Sequence, residues 1–299
     1  MSPLTHRRCG TTIPRVFADG ESLRAAVRAA QAAGQTVGLV PTMGALHEGH
    51  LSLVDAATAE CDVTVASIFV NPTQFAPHED YNRYPRDLGR DLALLGERAC
   101  DLVFAPSVEE MYPAGYATSI DVGAVAQVLE GEFRPGHFRG VATVVLKLFQ
   151  FAPADRAYFG EKDYQQTLVV QRMVADLNVP IEIRVCPTIR EPHGLAMSSR
   201  NAYLAADERR RAAAIYQSLQ LAGALVEQGI CDVATLRARM LERLRAAGGM
   251  EIQYIAFVAD GTVTPVSEVA GPTVVAIAAK VGSTRLIDNL RIGCNRHVQ

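Results

Sequence analysis

No stretch of the 299-residue sequence approaches the length of an apolar membrane span, which argues against a helical membrane protein. Lysine and arginine form no run longer than Arg209–Arg211, and the net charge is −3. A large nucleic-acid footprint needs a basic face, and none is encoded. The six cysteines, Cys9, Cys61, Cys100, Cys186, Cys231 and Cys294, are scattered without a C-x-x-C pair. That spacing disfavours a disulfide framework or zinc knuckle and points to a reducing cytoplasm. The opening residues, MSPLTHRRCGTTIPRV, lack the apolar core of a signal peptide, so none is expected. Internal repeats and low-complexity tracts are also missing.

What is present is the composition of an ordinary globular enzyme, 49% hydrophobic and 20% charged. The length exceeds what one core usually serves, which predicts two domains. Strand-like and helix-like segments alternate through the first two-thirds. ESLRAAVRAAQAAG (21–34) has helical spacing and ends on glycine, and TVGLV (36–40) follows as a strand. DVTVASIFV (62–70) is nearly all apolar, as a strand buried on both faces should be. HFRGVATVVLKLFQF (137–151) is long, with Lys147 as its one interior charge, which favours a buried helix. Further alternation through DRAYFG, DYQQTLVVQRMVADLN and IEIRVC predicts βαβ units and a parallel sheet over residues 1–188. From about residue 189 the pattern changes to two successive helices and then three strands. That predicts a smaller α+β domain over 189–299.

The segment PTMGALHEGH (41–50) joins a strand to a helix. In an open parallel sheet, ligands bind beyond the C-terminal strand ends, where free N–H groups of the next helix attract anions. Gly44 and Gly49 let the backbone approach a bulky ligand. Neutral His47 and His50 can each donate an N–H to phosphate without bringing in a permanent charge. Two plainer readings compete: half of a metal site, or ordinary helix-cap residues. The spacing is not the H-E-x-x-H of a zinc protease, and no matching ligand cluster stands elsewhere in the sequence.

YFGEKDYQQ (158–166) lies at a second strand-to-helix junction. Lys162 offers a point charge for phosphate and Asp163 an acceptor for a ribose hydroxyl; alternatively Asp163 and Gln166 form a capping box. GLAMSSRN (194–201) sits at the domain seam, where Ser198, Ser199 and Arg200 form a candidate oxyanion clamp and Gly194 a candidate hinge. A polar linker is the plainer reading. SIFVNPTQF (67–75) ends a strand with Asn71 and Gln74, and LEGEFRPGHFRGV (129–141) carries Glu130, Arg134 and His137; turn chemistry explains each taken alone.

Taken in order, these five segments closely resemble the pantoate–β-alanine ligase (pantothenate synthetase) family across nearly the whole chain. HEGH resembles the HIGH motif of nucleotidyltransferases and class I aminoacyl-tRNA synthetases, and MSSR stands where those enzymes carry KMSKS. The resemblance implies a Rossmann-like ATP- and pantoate-binding domain with a smaller α+β lid domain, in a homodimer. It implies ATP as co-substrate with Mg²⁺. Pantoate and ATP would give pantoyl adenylate and pyrophosphate, and β-alanine would then give pantothenate and AMP. Carried over by position, Met43, Gly44, Ala45, Leu46, His47, Glu48, Gly49 and His50 line ATP, with Gly160, Glu161, Lys162, Asp163, Ile189, Met197, Ser198, Ser199 and Arg200. His50, His47, Lys162, Ser198, Ser199 and Arg200 are the implied catalytic set. Gln74 and Gln166 are implied to hold pantoate, with Gln74 also near β-alanine. Glu130, Arg134 and His137 belong to the family's active-site motif, and His193 stands where members often carry an acidic residue.

The residue types suit that chemistry. Attack of a carboxylate on the α-phosphate builds charge on pyrophosphate, and imidazoles, lysine and arginine meet it. A protein nucleophile is not needed, in keeping with the absence of a triad signature. The rivals are another HIGH-motif adenylate- or cytidylate-forming nucleotidyltransferase acting on a different small substrate, an RNA-binding synthetase fragment, and a metallohydrolase built on His47 and His50. The two glutamine motifs and RPGHFRGV argue against the first, the acidic balance against the second, and a metal assay decides the third. The partners expected are small molecules, with no nucleic acid and no membrane.

Overall fold

The computed structural model describes residues 13–293. Cys9, Cys294 and most of the opening stretch MSPLTHRRCGTTIPRV lie outside the described residues. In chain order the elements are β1 (Arg15–Phe17), α1 (Gly20–Ala32), β2 (Val37–Thr42), α2 (Glu48–Glu60), β3 (Val63–Ile68), α3 (Leu88–Glu97), β4 (Leu102–Phe104), α4 (Val108–Met111), α5 (Glu130–Phe133), α6 (His137–Phe151), β5 (Arg156–Gly160), α7 (Tyr164–Asp176), β6 (Glu182–Cys186), α8 (Ala206–Glu227), α9 (Val233–Ala247), β7 (Met250–Ala259), β8 (Thr273–Val281) and β9 (Thr284–Ile292). One-turn 3-10 helices at Pro72–Gln74, Glu161–Asp163 and Ser199–Tyr203 carry site candidates.

The chain divides into two units, but not by a single cut at residue 188. The first unit runs to Asp121 and includes Gly136–Gly160 and Val170–Cys186. The second comprises Val122–Pro135, Glu161–Val169 and the chain from Pro187 onward. Long-range contacts assign the two internal segments, and local composition carries no mark of them.

The first unit holds a six-stranded sheet in the order β1-β4-β3-β2-β5-β6. Every recorded pairing within it is parallel. The apolar run of β3 is buried on both faces, as its composition predicts. α1 is capped by Asp19, whose carboxylate accepts from Ser22 N at 2.7 Å, and it buries Leu23 and Val27 one turn apart. Successive crossovers run outward from β2 through β3 and β4, and in the opposite direction from β5 to β6. The order therefore reverses between β2 and β5, which pair through Gly38–Arg156 and Leu39–Ala157. This is the switch point at which open α/β sheets take ligands. The loop leaving β2 is the histidine segment, and the residue ending β5 is Gly160.

The second unit is an antiparallel sheet, β7-β8-β9, whose core is shared with α8 and α9 through Leu219, Met240, Phe257 and Val275. The two helices and three strands follow the order expected from the sequence. Among the described residues no helix is long and apolar enough to cross a membrane.

Candidate active site

In the first unit, the histidine segment is held by hydrogen bonds from within and from α3. His47 is the N-cap of α2: its Nδ1 accepts from Gly49 N at 3.1 Å. The helix-cap reading is therefore correct as a local role, and it has a chemical consequence. With Nδ1 accepting, a neutral imidazole must carry its proton on Nε2. The i, i+3 spacing stacks the His50 ring on the His47 ring, with centroids 4.1 Å apart and planes inclined by 32°.

The residues before the cap bend back on themselves. Gly44 has φ +77° and Ala45 φ +51°, an uncommon conformation for alanine. The bend is fixed by Asp91 of α3, only 1% exposed, whose carboxylate accepts from Ala45 N at 2.9 Å and Leu46 N at 2.8 Å. Arg90 Nη1 donates to Leu46 O at 3.1 Å. Burial pushes the Asp91 carboxyl up from its ordinary range, against the pull of the two N–H bonds. A Cβ on Gly44 would lie 2.9 Å from Asp91 Oδ2, so glycine is required there. Gly160 is different. Its φ is not left-handed and a Cβ would meet nothing within 4 Å, so the fold does not demand glycine at that strand end.

Gln74 is buried in the same unit. Its Oε1 accepts from Asn71 Nδ2 at 3.1 Å, which fixes the amide's direction, and its Nε2 faces Met43 Sδ at 3.1 Å, a weak acceptor. Asn71 is itself held: Nδ2 also donates to Gly140 O at 3.1 Å, and Oδ1 accepts from Tyr112 OH at 2.8 Å and from Thr73 N and Oγ1. His137 Nδ1 lies 2.9 Å from Gln74 O; a carbonyl can only accept, so this nitrogen bears the proton. α6 approaches closely enough that a Cβ on Gly140 would lie 2.4 Å from Thr73 O.

In the second unit, Lys162 Nζ lies 3.2 Å from Asp163 Oδ1. The turn that carries it is gripped by Asn289 of β9, whose Nδ2 donates to Glu161 O and Lys162 O, both at 2.9 Å. Gln166 is half-buried in the first turn of α7. The neighbouring Gln165 serves the unit's interior instead. Its Nε2 donates to Val125 O and Val128 O, and its Oε1 accepts from Glu130 N. Ile189 and Met197 face each other, with Met197 N donating to Ile189 O at 2.9 Å. Ser198 caps the following 3-10 turn by accepting from Arg200 N at 3.3 Å. Gly194 has φ +96° and a Cβ there would meet Tyr216 at 2.4 Å, so this turn calls for glycine. His193 Nε2 lies 3.5 Å from Glu191 Oε2.

The first unit thus groups Met43–His50, Gln74 and Gly160, and the second groups Glu161–Asp163, Gln166, Ile189 and Met197–Arg200. Glu130 is engaged elsewhere than the motif suggested. Arg285 clasps its carboxylate at 2.5 and 2.6 Å, and Tyr254 OH donates to it at 2.8 Å. Burial opposes the Glu130 charge, but Arg285 and Tyr254 outweigh it and hold its carboxyl below the usual range. Asp91, Gln165 and Asn289 were missed in the sequence, since each acts on a partner at least 35 residues away. Among the described residues, no group of three or more His, Cys, Asp or Glu side chains is placed to hold a metal, so His47 and His50 find no further ligands there.

Comparison with known proteins agrees with this architecture. A family model described as pantoate-beta-alanine ligase matches residues 15–291. The pantothenate synthetase of Moorella thermoacetica is 53% identical over 274 residues, covering 92% of this chain and 97% of that one. That of Roseiflexus sp. is 54% identical over 266 residues, covering 89% and 96%. The crystal structure of pantothenate synthetase from Thermus thermophilus matches with a TM-score of 0.88 at 49% identity, covering 92% of this chain and 98% of that one. The Francisella tularensis pantoate-beta-alanine ligase, crystallised with beta-gamma ATP and beta-alanine, matches with a TM-score of 0.78 at 36% identity, covering 93% and 97%. With the family model spanning nearly all of the chain, and relatives more than half identical over most of their own length, the chain belongs to the pantoate–β-alanine ligase family.

Proposed function

We infer that this chain condenses pantoate with β-alanine in an ATP-dependent reaction through pantoyl adenylate. A pantoate carboxylate oxygen attacks the α-phosphorus; the bond to the bridging oxygen breaks and pyrophosphate leaves. The β-alanine amine then attacks the acyl carbon, the carbon–oxygen bond to phosphate breaks, AMP departs, and the amine loses a proton. Family membership supports this reading. The observation that carries it is the stacked imidazole pair at the N-terminus of α2, on the loop leaving the switch-point strand β2.

The roles are those that the family resemblance implies, and the geometry within each unit supports them. The His47 Nε2–H and the His50 ring are donors for the charge that grows on pyrophosphate, fixed in advance by the cap and by Asp91. Lys162 and Arg200 add cationic donors, and Ser198 and Ser199 neutral ones, on turns that are already hydrogen-bonded. The bare backbone at Gly160 admits a bulky ligand. Gln74, its amide oriented by Asn71, and Gln166 hold pantoate, and Gln74 also meets β-alanine. Mg²⁺ arrives with the triphosphate; donors dominated by imidazole, lysine and arginine fit an ion carried by substrate phosphates and water. The domain roles expected from the resemblance, an ATP- and pantoate-binding first domain and a lid-forming, dimer-associated second, belong to the same proposal. So does a cytoplasmic location, which suits the free thiols of Cys61, Cys100, Cys186 and Cys231.

The test is AMP formation by purified protein with Mg·ATP. AMP should accumulate only when pantoate and β-alanine are both present. Turnover with another carboxylate in place of pantoate would overturn the assignment.

A further inference from the structure

Asn289 lies on β9 and is only 5% exposed. Burying an amide is costly unless its donors are used. Here the Nδ2 group spans two consecutive carbonyls, Glu161 O and Lys162 O, both at 2.9 Å. That contact fixes the turn at the base of the Lys162 side chain. The strand is braced at the same level: Asn289 N donates to Asp288 Oδ1 at 2.8 Å, and Arg190 grips the Asp288 carboxylate at 2.6 and 3.0 Å. Arg190 also donates to Gly194 O at 3.1 Å and stacks on Tyr216 at 3.8 Å. Two adjacent residues of one strand therefore hold the Lys162 turn and the turn leading to Met197–Arg200.

We propose that Asn289 is a positioning residue for Lys162, setting the backbone from which the ammonium reaches the nucleotide. This rests on the reading of Lys162 as a phosphate-binding cation. Asn289 itself touches no substrate in this scheme. Leucine is close to its shape but donates nothing, so both carbonyls lose their side-chain donor and the turn is free to shift. A displacement of about an ångström at a catalytic group can lower a rate by ~10²-fold.

The experiment is a double-mutant cycle on turnover, with thermal unfolding measured for every variant. Lys162→Ala should lose ~10²-fold or more, and Asn289→Leu ~10–10²-fold while remaining folded. If Asn289 acts through Lys162, the double variant should match Lys162→Ala alone within about 2-fold. A purely structural role would instead make the two losses multiply, which overturns the proposal, as does near-normal turnover in Asn289→Leu. Should that variant not fold, Asn289→Ala carries the same cycle; if neither folds, Asn289 is a folding determinant and the proposal falls. Near-normal turnover in Lys162→Ala would strike the nucleotide reading of Lys162 instead.

Discussion

Gln74 and Glu130 are both buried polar residues in segments that look alike in the sequence, a few polar side chains within apolar context. Their surroundings differ in kind. Gln74 is aimed: Asn71 fixes its Oε1, and its Nε2 points toward a thioether, a poor acceptor that a substrate oxygen would outcompete. Glu130 is sealed: Arg285 takes both oxygens and Tyr254 adds a further donor. The proposed binding role of Gln74 and the ion-paired role of Glu130 therefore rest on the kind of partner each has, a thioether in one case and a guanidinium in the other.

The comparison is broken or sharpened by substitution on each side. Glu130→Ala would leave the partly buried Arg285 guanidinium without its anion. Unfolding by denaturant should show a loss of ~3–5 kcal/mol. Pantoate affinity of the folded fraction should change little, and a selective loss of it would reverse the assignment. Gln74→Leu should do the opposite. Pantoate KM should rise about 10–100-fold, the scale of an unpaired substrate group, while the unfolding midpoint moves little because Asn71 keeps Gly140 O. Gly140→Ala falls between the two. Its Cβ would strike the Thr73 carbonyl, backbone rather than a yielding side chain, so the turn bearing Gln74 must move. A stability loss of ~1–3 kcal/mol together with weaker pantoate binding is expected, read by thermal unfolding and steady-state kinetics.

The smallest effect is a pH dependence. Arg285 and Tyr254 hold the Glu130 carboxyl below its ordinary range in the folded state. The unfolded chain therefore binds the proton first as pH falls. The contribution is full above the unfolded carboxylate range, about pH 4.3, and is lost as pH drops through the folded value. Glu130→Gln should flatten the acid side of the stability profile relative to wild type. An unchanged acid slope would show that Glu130 titrates alike in both states.

Much of the fold was legible because its signals are local. The length of residues 137–151 and the lone Lys147 marked a buried helix, and α6 spans those residues. The runs flanking residues 41–50 marked a strand-to-helix junction, and α2 starts at Glu48 directly after the His47 cap. What could not be read are side chains whose partners are distant: Asp91 to Ala45 and Leu46, Asn289 to Lys162, Arg285 to Glu130 across 155 residues. No local periodicity encodes such pairings. The same cause put residues 122–135 and 161–169 with the second unit, through contacts such as those of Gln165, when composition placed them with the first. Gly44 and Gly160 both fall among the implied ATP-lining residues, and the structure separates a glycine that the fold requires from one that it does not.

The central claim is that a carboxylate is activated on ATP before the amine is needed. Isotope exchange of labelled pyrophosphate into ATP, with enzyme, Mg²⁺ and pantoate at single-turnover enzyme concentrations, tests it most directly. Exchange should require pantoate, proceed without β-alanine, and fall sharply in Gln166→Leu. If neither exchange nor adenylate forms until β-alanine is added, the stepwise account is wrong.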